Sequence, residues 1–272
     1  MRTWPFNPRH LVLAPLAAVM LVPLVWMLVT SIETLPESRR FPPTLIPSGI
    51  HWQNYPDALD AAPFGRFFVN SLIVTFAAVA GNLLLCSLAG YAFARLRFFG
   101  RDVTFIALLA TLMVPFQVIM IPTFLIVQHL GLVDSLGALI APNLVTPFGI
   151  FLLRQFFRTL PIELEEAARI DGCSRLGVLF RVVLPLSMPA LATLAIVTFL
   201  WTWNDFLWPL IVISTTSHST VQLGLASFQG AHQTNWTLLM AGNVMALAPM
   251  LLVFIVAQRW FVQSLASTGV KG

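Results

Sequence analysis

Charge is scarce in this chain: 10% of its 272 residues are Asp, Glu, Lys or Arg, against 58% hydrophobic ones. So little polar surface cannot clothe a soluble domain, and a mean hydropathy of +0.85 points to a polytopic membrane protein instead. Lysine is almost missing. Lys271 is the single one among 15 basic residues, which excludes a Walker-type phosphate lysine within the chain. Cysteine is limited to Cys86, in an apolar stretch, and Cys173, in a polar one. A disulfide framework is therefore not expected, and both are read as thiols. The five histidines form no HExxH pair and no GxSxG elbow is present, so an intramembrane hydrolase lacks its paired catalytic groups. No internal repeat or low-complexity tract is evident.

What is abundant is apolar sequence in long runs. A helix needs about twenty residues to cross a bilayer core, and the runs near residues 11–31, 69–93, 103–127, 135–153, 188–213 and 238–262 qualify. The first is longer than a signal-peptide core and lacks a small-x-small cleavage site, so it is read as retained. These runs predict an all-α membrane protein, a single transmembrane domain over 1–272 with six helices and a polar segment at 158–187. A net charge of +4 would suggest nucleic acid in a soluble protein. Here the charges mark topology. Arg2, Arg9, Arg95, Arg97, Arg101, Arg154, Arg158, Arg169, Arg175, Arg181, Arg259 and Lys271 fall on one side of the six spans, and Arg39, Arg40 and Arg66 on the other. By the positive-inside rule both termini and the polar segment face the cytoplasm; the partner is lipid, with no nucleic acid.

That polar segment, Glu163 to Pro189, is the longest interruption in the second half of the chain. Pro161 opens a helix, Glu163, Glu165 and Glu166 lie where the macrodipole favours anions, and Ala167 and Ala168 are strong helix formers. Gly172 ends that helix by its permissive backbone, and Ser174 can cap a second one leading to Pro185 and Pro189. The residues predict a short helix, a sharp turn and another helix.

Glu166-Ala167-Ala168, Asp171-Gly172, Leu184-Pro185 and Pro189 resemble the EAA loop of binding-protein-dependent ABC importer permeases, most closely the carbohydrate-uptake, maltose-permease-like branch. Cys173 stands where that branch more often has Ala. The resemblance implies a type I importer permease fold in a bacterial cytoplasmic membrane. It implies that Glu166, Ala167, Ala168, Asp171 and Gly172 couple to an ATPase dimer, with the tail Ser267–Gly272 also contacting it. It further implies a second homologous permease subunit and an extracytoplasmic solute-binding protein. The chain would carry no cofactor or metal of its own and no catalysis, ATP and Mg belonging to the partner ATPase. The solute would be a sugar or sugar-like compound.

Three other stretches bear on a pathway. Pro115 and Pro122 each remove a backbone donor from the third span, predicting bends that either shape a cavity wall or are merely tolerated by packing. Gln117 between them is a candidate pathway residue or an interhelical bond. The fifth span holds Trp201-Thr202-Trp203-Asn204-Asp205, in which a charge should face the bundle interior or a cavity. Indole rings beside a carboxamide and a carboxylate suit a sugar, yet Trp near an interface also serves as a belt residue. Trp203, Asn204 and Asp205 match the WN[D/E] segment of the same branch and are taken as pathway residues. The end of the second span, Ala89 to Arg95, is read as close packing followed by stop-transfer arginines.

Of the outer segments, 33–66 reads as an irregular Pro-rich loop whose Trp52 and Tyr55 rest at the interface or meet an external partner. The segment 214–236 is without Asp, Glu, Lys or Arg; it is either a solvated loop or one that reaches a binding protein. The alternative class, a self-powered secondary transporter, would need intramembrane ionisable groups and broken helices in paired positions. Asp205 alone supplies the first.

Overall fold

The computed structural model describes residues 10–43, 46–229 and 234–269, the side chains of His10, Val12 and 257–269 excepted. The N-terminal arm with Arg2 and Arg9 and the tail end with Lys271 lie outside the described residues, and so does the side chain of Arg259. Helices and turns make up what is described, with one isolated antiparallel bridge between Gln229 and Thr234. Two compact units are present: one runs up to Gly65 and takes in Gly224–Pro249, the other holds Arg66–Leu223 and the residues from Met250 on.

In the first unit, α1 (His10–Ser31) is a 22-residue apolar helix whose side chains from Leu13 to Trp26 are exposed, as a lipid-facing span requires. The following segment is not the irregular loop expected. It contains α2 (Leu35–Ser38) and α3 (Asn54–Asp60) and is tied back to the end of α1. The Asn54 carboxamide donates to the carbonyls of Ser31 and Glu33 at 2.9 and 2.8 Å, and the Tyr55 and Ser31 hydroxyls are 2.9 Å apart. Tyr55 is therefore a strut, and Trp52, 65% exposed, is the ring left for an interface. Hydrogen bonds from Ser48 and Thr34 hold the Glu37 carboxyl down at about 2.

After this comes α4 (Phe64–Arg95), a continuous helix of 32 residues. Next come α5 (Arg101–Thr111) and α6 (Phe116–His129), bent by 106° at residues 112–115. The third expected span is thus two helices. Pro115, with φ −59° and ψ 142°, sits outside helical conformation at the start of α6, while Pro122 is accommodated within α6. The fourth combines α7 (Leu136–Ile140), a 3₁₀ turn and α8 (Pro147–Thr159). Its break at 144–146 is served by Asn82 on α4, which donates to the Asn143 carbonyl at 3.1 Å and to the Thr146 hydroxyl at 3.2 Å. In a bilayer the backbone groups freed by a break must be satisfied in this way.

Helices α4 and α8 approach closely because glycine stands at the contact. A β-carbon on Gly90 would come within 3.1 Å of Leu153, and one on Gly149 within 2.7 Å of both Asn82 Oδ1 and Cys86 Sγ. The close-packing reading of Ala89 to Arg95 holds at Gly90. Around this seam Cys86, Ile150, Leu153, Phe157, Val178 and Leu179 form the main core. The chain continues through α9 (Ile162–Ile170), α10 (Arg175–Val178), a π turn at Leu179–Val183, α11 (Leu184–Leu186) and α12 (Met188–Trp203). The segments on either side of Ser187 are bent by 82°. After α13 (Leu207–Val212) and α14 (Val221–Ala226) comes α15 (Trp236–Gly269). Among the described residues, four helical stretches are long and apolar enough to cross a membrane, and up to six if each bent pair is one span.

A candidate coupling elbow and translocation groove

The helix-turn-helix read at 158–187 is present with its local devices in place. Pro161 precedes α9, whose first turn carries Glu163 and Glu165 and whose last turn carries Arg169, complementary to the helix dipole at both ends. The N–H groups of Asp171, Gly172 and Cys173 return to the carbonyls of Ala167, Arg169 and Ala168 at 3.0 to 3.1 Å. Gly172 holds φ +86° with nothing within 4 Å of where a β-carbon would stand, so a substitution there is resisted by the backbone conformation and not by crowding. The Ser174 hydroxyl accepts from Gly177 N–H at 3.1 Å and caps α10. Glu166, Ala167, Asp171 and Gly172 are exposed, and Ala168 is half-buried.

One feature of the elbow was hidden in the sequence. Glu165, read there only as a dipole-matched carboxylate, is buried at 5% exposure. Its Oε1 lies 2.5 Å from Arg95 Nε and its Oε2 accepts from the Tyr91 hydroxyl at 3.0 Å. Arg95 also donates to the Leu160 carbonyl at 2.7 Å. Arg95, read as a stop-transfer charge, therefore ties the end of α4 to the end of α8 and to α9. The signal available was helical spacing: Glu165 is one residue from Glu166, so the two carboxylates point to different faces.

The second site is a groove of about 900 Å³ lined by Phe116, Thr123, Asn143, Trp201, Asn204, Asp205 and Trp208, among others. The fifth expected span is not one helix here. Its first part, α12, ends at Trp203, and residues 204–206 separate it from α13. Asp205 Oδ1 accepts from the Trp208 N–H at 3.3 Å, closing the break, and the Trp208 indole N–H donates to the Ala138 carbonyl at 2.9 Å. Asn204 is exposed, with its amide donating to Leu200 at 2.8 Å and its carbonyl oxygen left for a ligand.

Trp203 does not line the groove. It is 1% exposed and stacks on Phe199 with centroids 5.6 Å apart. Trp201 takes the groove position, 58% exposed and 5.5 Å from the Phe148 ring. Within α12, Trp203 is about 200° around the helix from Trp201, so the two rings point to different faces. Gln117 is exposed on α6.

Asp134 adopts φ 59° and clamps the turn before α7 to the segment after α13. Its carboxylate accepts from the N–H groups of Ser214 and Thr215 at 3.0 and 2.9 Å and from the Thr215 hydroxyl. Those bonds, the Thr215 hydroxyl first, hold its carboxyl well below the usual range. Asn70 fixes the next residues, donating to the Ser217 and Ser219 carbonyls at 2.9 Å each. The segment read as either a solvated loop or one that reaches a binding protein thus starts as a braced structure.

Residues 82–267 match the family described as binding-protein-dependent transport system inner membrane component. The chain belongs to this family. It is 38% identical over 260 residues to the arabinooligosaccharides transport system permease protein AraQ of Halalkalibacterium halodurans, covering 94% of this chain and 93% of that one. It is also 38% identical over 235 residues to the sn-glycerol-3-phosphate transport system permease protein UgpE of Pectobacterium atrosepticum, covering 84% of each. Its fold is similar to a chain of a bacterial ABC transporter involved in the import of the acidic polysaccharide alginate, with a TM-score of 0.79 and 25% identity over 95% of this chain and 100% of that one. A chain of the alginate transporter in complex with an alginate pentasaccharide-bound periplasmic protein matches at a TM-score of 0.64 and 15% identity, over 94% and 96%.

The protein is thus a multi-pass permease of the ABC importer class with the type I fold. Bends occur at 112–115 and at Ser187, but the family is binding-protein-dependent, and the secondary-transporter reading is set aside.

Proposed function

We propose that this permease carries a neutral sugar or oligosaccharide delivered by an extracytoplasmic binding protein, paired with a second permease subunit and driven by a separate ATPase dimer. The observation that carries the reading is the groove at the break in the fifth span. Trp201 and Phe116 offer rings for the apolar faces of a sugar, and Asn204, Asn143, Thr123 and Asp205 offer groups that bond hydroxyls. The curated relatives named above span neutral and anionic solutes. The lining supports the neutral class, since among the described residues its one ionisable side chain is Asp205 and an anion would meet a carboxylate without a cation to offset it.

Coupling is assigned to the elbow. The exposed Glu166, Ala167, Asp171 and Gly172, backed by Ala168, form the surface for an ATPase cleft, with ATP and Mg held on that partner. Closure of the ATPase pair would push α9, and the Glu165–Arg95 pair would hand that displacement to α4. The chain itself does no chemistry. Both termini and the elbow are assigned to the cytoplasm by the arginine distribution.

Two experiments test this. Uptake into liposomes holding the complete transporter is measured for a neutral oligosaccharide panel, glycerol 3-phosphate and alginate oligomers; preference for an anionic solute sinks the substrate reading. Single cysteines at Ser217 and Ser174, with Cys86 and Cys173 removed, should label from outside and only after permeabilisation, respectively. The reverse pattern overturns the orientation.

A further inference from the structure

Helices α4, α5 and α8 enclose a cleft of about 350 Å³ lined by Phe93, Ala94, Arg101, Asp102, Arg154 and Arg158, which neither the elbow nor the groove uses. Three guanidinium groups face one carboxylate there. Asp102 is taken by Arg101, with Nε–Oδ1 at 2.9 Å and Nη2–Oδ2 at 3.3 Å. Arg154 is buried at 9% exposure, with its guanidinium 3.8 Å over the Phe105 ring and its Nε–H donating to the Phe93 carbonyl at 3.3 Å. Arg158 is exposed one turn further on, on the same face of α8. Among the described residues neither of these two has a carboxylate at ion-pair distance.

We propose that this cleft binds the phosphate headgroup of an anionic phospholipid of the cytoplasmic leaflet. Two like charges at i, i+4 repel one another, and a guanidinium withdrawn from water is unfavourable without a counter-charge. Among the described residues Asp102 is the one carboxylate lining the cleft, against three guanidinium groups, so positive charge is left over for a group from outside. A guanidinium fork matches phosphate oxygens in geometry, and a basic cleft at the cytoplasmic ends of membrane helices is where an anionic headgroup is available. The first turns of α5 add the lipid-specific part: Val103 and Ile106 are 73% and 66% exposed, an apolar flank for acyl chains that free phosphate cannot use. The proposal rests on the orientation assigned above, which the cysteine labelling tests separately.

The test uses the full-length chain extracted from vesicles of phosphatidylcholine and phosphatidylglycerol, with retained lipid counted by native mass spectrometry. Wild type is expected to retain phosphatidylglycerol over phosphatidylcholine. Arg158→Gln, an exposed position that the core does not need, should lower that retention about fivefold, the scale of one basic residue at an anionic membrane surface. Arg158→Lys should keep most of it, and Arg154→Gln should lower it further if the variant folds. Equal phosphatidylglycerol retention in wild type and Arg158→Gln overturns the proposal. Displacement of the lipid by millimolar inorganic phosphate would make this a site for the free anion, overturning the lipid assignment. A loss of ATPase association in Arg158→Gln with lipid retention unchanged would give the cleft to a protein carboxylate instead, and would also overturn it.

Discussion

The coupling elbow and the translocation groove lie in the same compact unit, and both are built around a helix that stops. They stop for different reasons. At the elbow the chain ends α9 with local devices: a glycine at φ +86°, returning N–H groups and a serine cap, all within a dozen residues. At the groove α12 ends at Trp203 with nearby help, Asp205 accepting from the Trp208 N–H and Pro209 lacking the N–H that the Asp205 carbonyl would need in a continuous helix, but distant residues also hold the break: α7 accepts the Trp208 indole through the Ala138 carbonyl, and Phe116 meets Trp208 edge-on with centroids 5.8 Å apart. A break made locally stays the same in any surroundings. One held by neighbours can change when those neighbours move, which suits a pathway that must open and close.

The largest effect that would break this contrast is at Gly172. Gly172→Asp should leave the spans inserted yet abolish uptake and weaken ATPase association, because a left-handed residue with a β-carbon costs roughly 1 kcal/mol or more and the side chain also intrudes on the docking turn. Normal pull-down of the ATPase together with normal uptake would reduce the elbow to a plain hairpin.

Next in size is the buried pair beneath it. Glu165→Ala strands Arg95 at 11% side-chain exposure, and loss of one partner of such a pair costs about 3 kcal/mol. Thermal unfolding of the solubilised chain should show it. Glu165→Gln, which still bonds Tyr91 and Arg95, should unfold closer to wild type while lowering uptake per ATP hydrolysed. Coupling unchanged in both variants would mean that α9 does not act on α4 through this pair.

A third comparison separates two tryptophans. Trp203→Ala should destabilise the chain by about 3 kcal/mol or more, as for a buried aromatic ring, whereas Trp201→Ala should leave its melting unchanged and lower uptake several-fold. Asp205→Ala should resemble Trp201→Ala, with assembly intact. Failure of the Asp205 variant to assemble would show that closing the break is its whole role.

The smallest effect is set by pH at Asp134. Its carboxyl titrates below the usual carboxylate value, so its clamp on Ser214 and Thr215 is at full strength above about pH 4 and weakens as acidity carries the pH down through the depressed value. Cysteine labelling at Ser217 should rise on acidification in wild type and be high at every pH in Asp134→Ala. A flat wild-type profile would remove the clamp.

Hydrophobic run length and arginine placement determined, in the sequence alone, that this is a helical membrane protein with six apolar segments, and Pro161, Gly172 and Ser174 determined the elbow. Each of those signals acts through a residue's own backbone or through transfer to lipid, neither of which depends on what the chain meets far away. The bend in the third segment was legible too, at Pro115, but the tertiary structure alone decided that Glu165 faces inward to Arg95 and Tyr91 and that Trp201 and not Trp203 lines the groove. Those outcomes depend on which helix packs against which face, a choice settled by residues some seventy positions apart, Glu165 with Arg95 and Trp208 with Ala138.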